Sequence, residues 1–360
     1  MSDFGEGLPE IYRQLLPSVT KWSLPREEKS TCNNCPMKKE TASEVLEQRL
    51  LFNNVTKCCT YHPRLPNYLV GGLLSDTSAA FAEGRRRMLQ RLETRIGVSP
   101  WWLNPPPLKE FLYKQVKSAF GKAESLVCPF FAKESGGCTI WGYRDAVCST
   151  WFCKYQTGAD GHKFWMTAKE YLGFVERVLS RYALLQIDED FVLDDDSAAY
   201  YVDDSLNVEA LDNKPEPAEL YKTLWRDWEG REQEFYVRCF EIVREMNPDQ
   251  VQSLMGIDGL IKEKDLGRKR EASVSADLPD PLRFNEKATA KWLEDGYVAL
   301  GSYSYYDAVA LPEIAFRLLT KFDGKKPLKE VRAQWHKEFE TDLSDDIIQT
   351  LYRHRVLLPT

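Results

Sequence analysis

Eight cysteines carry the chemistry legible in this chain: Cys32, Cys35, Cys58, Cys59, Cys128, Cys138, Cys148 and Cys153. Thiolates are soft ligands that favour zinc and iron–sulfur centres. Cys32-Asn33-Asn34-Cys35 is a C-x-x-C pair, whose backbone can curl so that both sulfurs face one metal. Cys58-Cys59 is a vicinal pair. Adjacent residues on an extended chain point opposite ways, so these two thiols reach different metal ions or need a special turn. The eight sulfurs suffice for two four-thiolate sites or for one multi-iron cluster. The chain holds only four His, which favours sulfur-only coordination. An iron–sulfur cluster is the preferred cofactor and zinc the alternative, because Phe130, Phe131, Trp141, Trp151, Phe152, Phe164 and Trp165 accompany the later cysteines and can keep water off a cluster.

Three residues are candidates for supporting such a centre. His62 follows the vicinal pair and can replace a thiolate; His162 lies just past Cys153 and can hydrogen-bond a cluster sulfur. Arg144 can offset the negative charge of a thiolate-bound metal, or serve in a plain salt bridge. The ninth cysteine, Cys239, shares helical spacing with Phe235, Ile242 and Met246 and reads as a core thiol.

The cysteine pattern carries a resemblance. The C-x-x-C pair and the vicinal pair are followed by Cys128-Pro129-Phe130-Phe131 and by Gly137-Cys138-Thr139-Ile140-Trp141-Gly142-Tyr143-Arg144, then by Cys148 and Phe152-Cys153. Over about residues 32–155 this resembles the YkgJ-type cysteine-cluster family, a zinc- or iron-chelating domain. The resemblance implies that the eight cysteines are the metal ligands. Here 22 residues separate Cys35 from Cys58, where the family has the two pairs close together. The flagellin lysine-N-methylases carry a similar cysteine pattern, but with Tyr-Pro-Arg after the last Cys, where this chain has Lys154-Tyr155.

Around the cysteines the spacing predicts an irregular arm over 1–31 and a loop-rich stretch over 32–75. Helices are expected from Ser75-Asp76-Thr77 to about Arg95, over about 108–123, behind a capping box at Thr167-Ala168-Lys169-Glu170, and over about 216–245. Short strands and turns are expected over 126–165. Residues 188–213 hold ten Asp and Glu and no Lys or Arg; they lack calcium-loop spacing and read as a solvated loop. The domain expectation is a cysteine-cluster domain at 1–165, a helical extension at 166–261, a linker at 262–281 and an interaction domain at 282–360. The fold class is mainly α with small β elements (α+β): an irregular cysteine-rich metal domain with a helical extension, and a C-terminal winged-helix-like domain.

That last domain reads as a hairpin over 297–310, helices over 311–322, 327–339 and 344–352, and a strand at 356–358. With the run Leu318 to Val331 it resembles the PqqD-like peptide-recognition modules, which bind a peptide along a hairpin edge. Residues 282–360 contain 12 Lys and Arg and 12 Asp and Glu. A DNA reader needs a basic face, so a peptide or protein partner is favoured over nucleic acid. The net charge of −7, the acidic start Met1-Ser2-Asp3-Phe4-Gly5-Glu6 and the lack of a long apolar run point to a cytoplasmic protein with no membrane partner. The functional expectation is a metal-binding protein with a C-terminal peptide- or protein-interaction domain. The alternatives are a metal-dependent enzyme modifying a peptide or protein side chain (flagellin lysine-N-methylase-like or peptide-maturation), and a metal-responsive nucleic-acid-binding regulator.

Overall fold

A computed structural model describes residues 1–40, 48–189, 191, 208–294 and 296–360. The chain is mainly helical with small β elements. It gathers into two compact units, each built from separated segments: Met1–Leu24, Phe52–Trp151 and Thr167–Leu266 in the first, and Pro25–Leu51, Phe152–Met166 and Gly267–Thr360 in the second. Among the described residues no helix is long and apolar enough to cross a membrane.

The first unit is organised around the helix Asn67–Ser75 (NYLVGGLLS), of which residues 67 to 73 are all buried. The helix Glu232–Arg244 lies against it, with Phe235, Tyr236, Cys239 and Val243 turned inward at helical spacing. The two backbones approach at Gly71, where a Cβ would stand 1.8 Å from the Tyr236 carbonyl oxygen. Trp225 is fully buried beside Phe235 and Tyr236, at ring separations of 5.3 and 5.6 Å, and its indole N–H donates to the Val98 carbonyl. Cys239 is a buried core thiol, as its spacing predicts.

Several element boundaries differ from the sequence expectation. Residues 1–24 are no arm: helices Glu10–Leu15 and Pro17–Thr20 bury Tyr12, Leu15 and Val19, because their apolar residues outweigh the prolines that flank them. The helix expected from Ser75 begins at Ala82 and ends at Glu93, since Asp76 accepts the Ser78 N–H in a local turn instead of capping a helix. The one expected over 108–123 spans Pro107–Gln115. The helix Gly158–Ile187 starts well before the Thr167 capping box, because buried Ala159 and Phe164 continue the apolar face upstream. The helix expected over 216–245 is two, Ala218–Trp225 and Glu232–Arg244, separated where Arg226 and Gly230 take positive φ. The expected linker 262–281 is helical as far as Val274, within Pro248–Val274: its Lys, Glu, Arg and Ala are strong helix formers and Leu266 is fully buried. Most of the acidic stretch 188–213 lies outside the described residues.

In the second unit, strands Thr289–Trp292, Tyr297–Gly301 and Val309–Pro312 form an antiparallel sheet with Tyr297–Gly301 central. Helices Glu313–Leu318, Leu328–Phe339 and Asp345–Arg353 follow, and Leu357–Pro359 pairs antiparallel with Leu282–Phe284. Their shared core holds Val298, Leu300, Leu318, Trp335, Ile348 and Val356. Ser344 caps the last helix by accepting the Ile347 N–H at 3.3 Å.

Candidate metal centre

The fold divides the eight cysteines. Cys58, Cys59, Cys128, Cys138 and Cys148 belong to the first unit, and Cys32, Cys35 and Cys153 to the second.

In the first unit the vicinal pair sits in a tight turn. Lys57 takes the left-handed conformation (φ 47°), the Cys59 N–H donates to the Thr56 carbonyl, and the Thr60 N–H donates to the Cys58 carbonyl. The turn is fastened to Gly121 on both sides: the Thr56 hydroxyl donates to the Gly121 carbonyl and the Gly121 N–H donates to the Thr60 hydroxyl, each at 2.8 Å. Cys128 is joined to the turn directly, through its N–H to the Cys59 carbonyl at 2.8 Å. Beyond it, Phe131–Ala132 pairs with Gly137–Cys138, placing Cys138 opposite Phe131. The Lys57 ammonium donates to the Gly136 carbonyl at the tip of that hairpin.

The helix Ala82–Glu93 supports the same hairpin. Arg87 donates to the carbonyls of Pro129 and Phe131 at 2.8 and 3.0 Å, and Gly84 leaves room for the Thr139 carbonyl. Cys148 lies in the short helix Ala146–Thr150, whose cap Asp145 accepts the Cys148 N–H at 2.9 Å. Arg144 is buried and fully engaged: it donates to the carbonyls of Trp141, Cys148 and Gly7, and its guanidinium stacks 3.4 Å from the Trp141 ring centroid. These bonds tie the Cys148 helix to the chain around it. Trp141 is itself 45% exposed, so it shields little, whereas Phe130 and Phe131 are buried.

Burial, then the neighbouring Cys138 and Cys59, raises the Cys128 thiol, and burial, then Asp145, Cys128 and Cys138, raises that of Cys148. Both are pushed well up, so both hold their protons. Cys59 goes the other way: a hydrogen bond with Cys58 holds it below the usual thiol value against burial, helped by Lys57 and Arg144. Thiols are soft donors, and a metal bound by Cys128 and Cys148 would take the place of their protons. As the side chains stand, no three His, Cys, Asp or Glu among the described residues converge to hold an ion.

In the second unit, Cys35 and Cys153 are buried and Cys32 is exposed. The Ser30 hydroxyl lies 3.1 Å from the Cys153 sulfur and accepts the Lys154 N–H at 2.8 Å. Burial pushes the Cys153 thiol up to about 11, against the Ser30 hydrogen bond, and the neighbouring Cys35 adds to the rise.

His62 Nε2 pairs with the Leu126 carbonyl at 3.2 Å, and burial lowers its pKa to about 4, so the ring is neutral. The His162 ring packs between Tyr155 and Tyr303, with centroids 5.1 and 5.8 Å away.

A buried carboxyl system that the sequence did not signal adjoins Cys148. Glu176 is buried, and its Oε1 accepts both the Tyr12 hydroxyl at 2.9 Å and the Ala146 N–H at 2.7 Å. Tyr12 in turn bonds Tyr68. Burial, then the charge of Asp145, drives the Glu176 carboxyl well above its ordinary value of 4.5, so the folded protein holds a proton there. The unfolded chain releases that proton as pH passes 4.5, so this residue's contribution to stability falls as pH rises from there towards its folded pKa. Glu176→Gln keeps an acceptor for both donors and has no proton to lose. Thermal denaturation between pH 5 and 8 should show the variant losing less Tm than the parent across the range.

No family model, no curated protein and no solved structure matches this chain.

Proposed function

We propose that this protein holds a thiolate-ligated iron–sulfur cluster or zinc ion, and that Cys59, Cys128, Cys138 and Cys148 are its ligands in the first unit. Cys32, Cys35, Cys58 and Cys153 belong to the same proposal as further metal ligands, Cys58 being also the hydrogen-bond partner of Cys59. What supports the reading is the cysteine inventory and spacing, together with the bond that joins the Cys128 N–H to the Cys59 carbonyl at 2.8 Å and the hairpin that carries Cys138 opposite Phe131. A cluster would supply one-electron transfer, and zinc would supply a structural cross-link. The YkgJ-type relationship over 32–155 belongs to the same proposal.

The segment 282–360 is proposed as a winged-helix-like module that takes a peptide or protein by strand addition. The support is the strand Thr289–Trp292, at an edge of its sheet and exposed along its whole length, with Trp292 58% exposed.

The test is anaerobic purification of the full chain with iron, sulfide and zinc analysis. The expected result is at least one equivalent of zinc, or of iron with matching sulfide. A colourless protein without either metal, with all nine thiols titratable, would overturn the reading.

A further inference from the structure

The first unit contains a cleft of about 650 Å³ that the thiol chemistry does not use. Two helices form its sides. Pro107–Gln115 contributes Lys109, Glu110, Tyr113 and Lys114; Gly158–Ile187 contributes Lys169, Glu170, Gly173, Glu176 and Arg177, residues that recur on one helix face. Aromatic and apolar surface comes from Tyr61, Trp102, Pro105 and Val147, and the Tyr61 and Tyr113 rings meet edge to face at 5.5 Å.

Six cations line this cleft: Arg64, Lys109, Lys114, Lys169, Arg177 and Lys262. Against them stand four carboxyls, Glu110, Asp145, Glu170 and Glu176. Glu110 is already held by Lys114 at 2.9 Å and by Arg64 at 3.8 Å. Asp145 and Glu176 are spent on the Cys148 N–H, the Ala146 N–H and two tyrosine hydroxyls. The cationic excess is concentrated in a concave site with aromatic walls, where a field of one sign is focused. At Gly173 a Cβ would meet nothing within 4 Å, so the absent side chain keeps the space open.

Lys109 donates to the Ser125 carbonyl and Lys262 lies over the Phe174 ring, so Lys169 and Arg177 are the cations best placed for a ligand. We infer that this cleft is a binding site for a small organic anion with an aromatic body, its carboxylate or phosphate taken by Lys169 and Arg177 and its ring lying against Tyr61, Trp102 and Tyr113. The volume falls within the range of small-molecule sites, roughly 300–1,000 Å³. The inference rests on the cleft alone and stands whether or not the thiols carry a metal.

The test is calorimetric titration of the full-length protein with 1-naphthoate and with adenosine monophosphate, beside their neutral counterparts 1-naphthylmethanol and adenosine. At least one anion should bind saturably, and its neutral counterpart at least about tenfold more weakly, a difference of about 1.4 kcal/mol. Which anion binds separates carboxylate from phosphate ligands. Gly173→Leu, which fills the cleft at a position with free space, should abolish binding without lowering the melting temperature. Lys169→Glu should weaken binding about tenfold without filling the site. The inference is overturned if neither anion saturates, if the neutral compounds bind equally well, or if Lys169→Glu and a folded Gly173→Leu both bind like the parent.

Discussion

Cys138→Ser protein, purified without oxygen, should retain less than about a tenth of the metal carried by the parent, and its first unit should melt at markedly lower temperature. Metal binding and folding are one equilibrium when ligands come from separate stretches of chain. Structural zinc sites contribute an apparent ~10–16 kcal/mol at neutral pH, so losing one ligand removes several kcal/mol. Cys138 is a sharp probe because its strand pairing with Phe131 and the bonds from Arg87 hold the hairpin whether or not its sulfur is ligated. Cys153→Ser tests the second unit's sulfur set in the same way, and is expected to lower metal content too. Cys239→Ser is the control. That thiol is fully buried between helices, so a hydroxyl there costs about 1–3 kcal/mol of stability with the metal retained. Metal assay and thermal melting on the three variants give the answer; equal metal content in all of them would contradict the ligand assignment.

Gly71→Ala should destabilise the first unit by about 3–5 kcal/mol, the scale of severe overpacking. The added Cβ would sit 1.8 Å from the Tyr236 carbonyl oxygen and 2.4 Å from its carbon. Both are backbone atoms of a packed helix, so no side-chain rotation relieves the clash and the two helices must part. Separating them loosens Tyr68, Tyr236 and Cys239, all of which are fully buried. Gly173→Ala is the matched comparison: it too is a helical glycine, but with open space around it, and it should gain up to about 1 kcal/mol from helix propensity. Urea denaturation followed by circular dichroism measures both. A Gly71→Ala midpoint close to the parent's would show that the helices are not in backbone contact there.

The C-terminal elements were legible because their signals are local. Ser344 caps within its own turn, Pro312 and Pro327 each directly precede a helix, and the hairpin strands are short apolar runs separated by a loop. The boundaries that moved were decided elsewhere in the molecule. Thr167 has a capping-box sequence, yet the burial of Phe164 and Ala159 carries the helix through it. The charged run after Lys262 has the composition of a linker and the helix propensity of a helix; buried Leu266 selects the second.

The candidate site shows the same division. The cysteine types and spacings are visible in the chain; the tight turn that holds Cys58-Cys59 is seen only in the structure. The distribution of the sulfurs is not visible in the chain, because Cys153 and Cys148 are five residues apart and fold into different units. Nor is the role of Arg144, whose partners include the Gly7 carbonyl, 137 residues away in sequence. The cleft is further still from the sequence: its lining comes from five stretches between Tyr61 and Lys262. What the amino-acid order determines by itself here is chemical inventory and local conformation: eight clustered cysteine thiols, a largely helical chain, and caps and turns closed within a few residues. Which unit each cysteine joins, which glycine lies against a backbone and where positive charge surrounds an open space were decided only in the tertiary structure. Those properties arise from close packing between segments distant in sequence, and no local spacing encodes that contact.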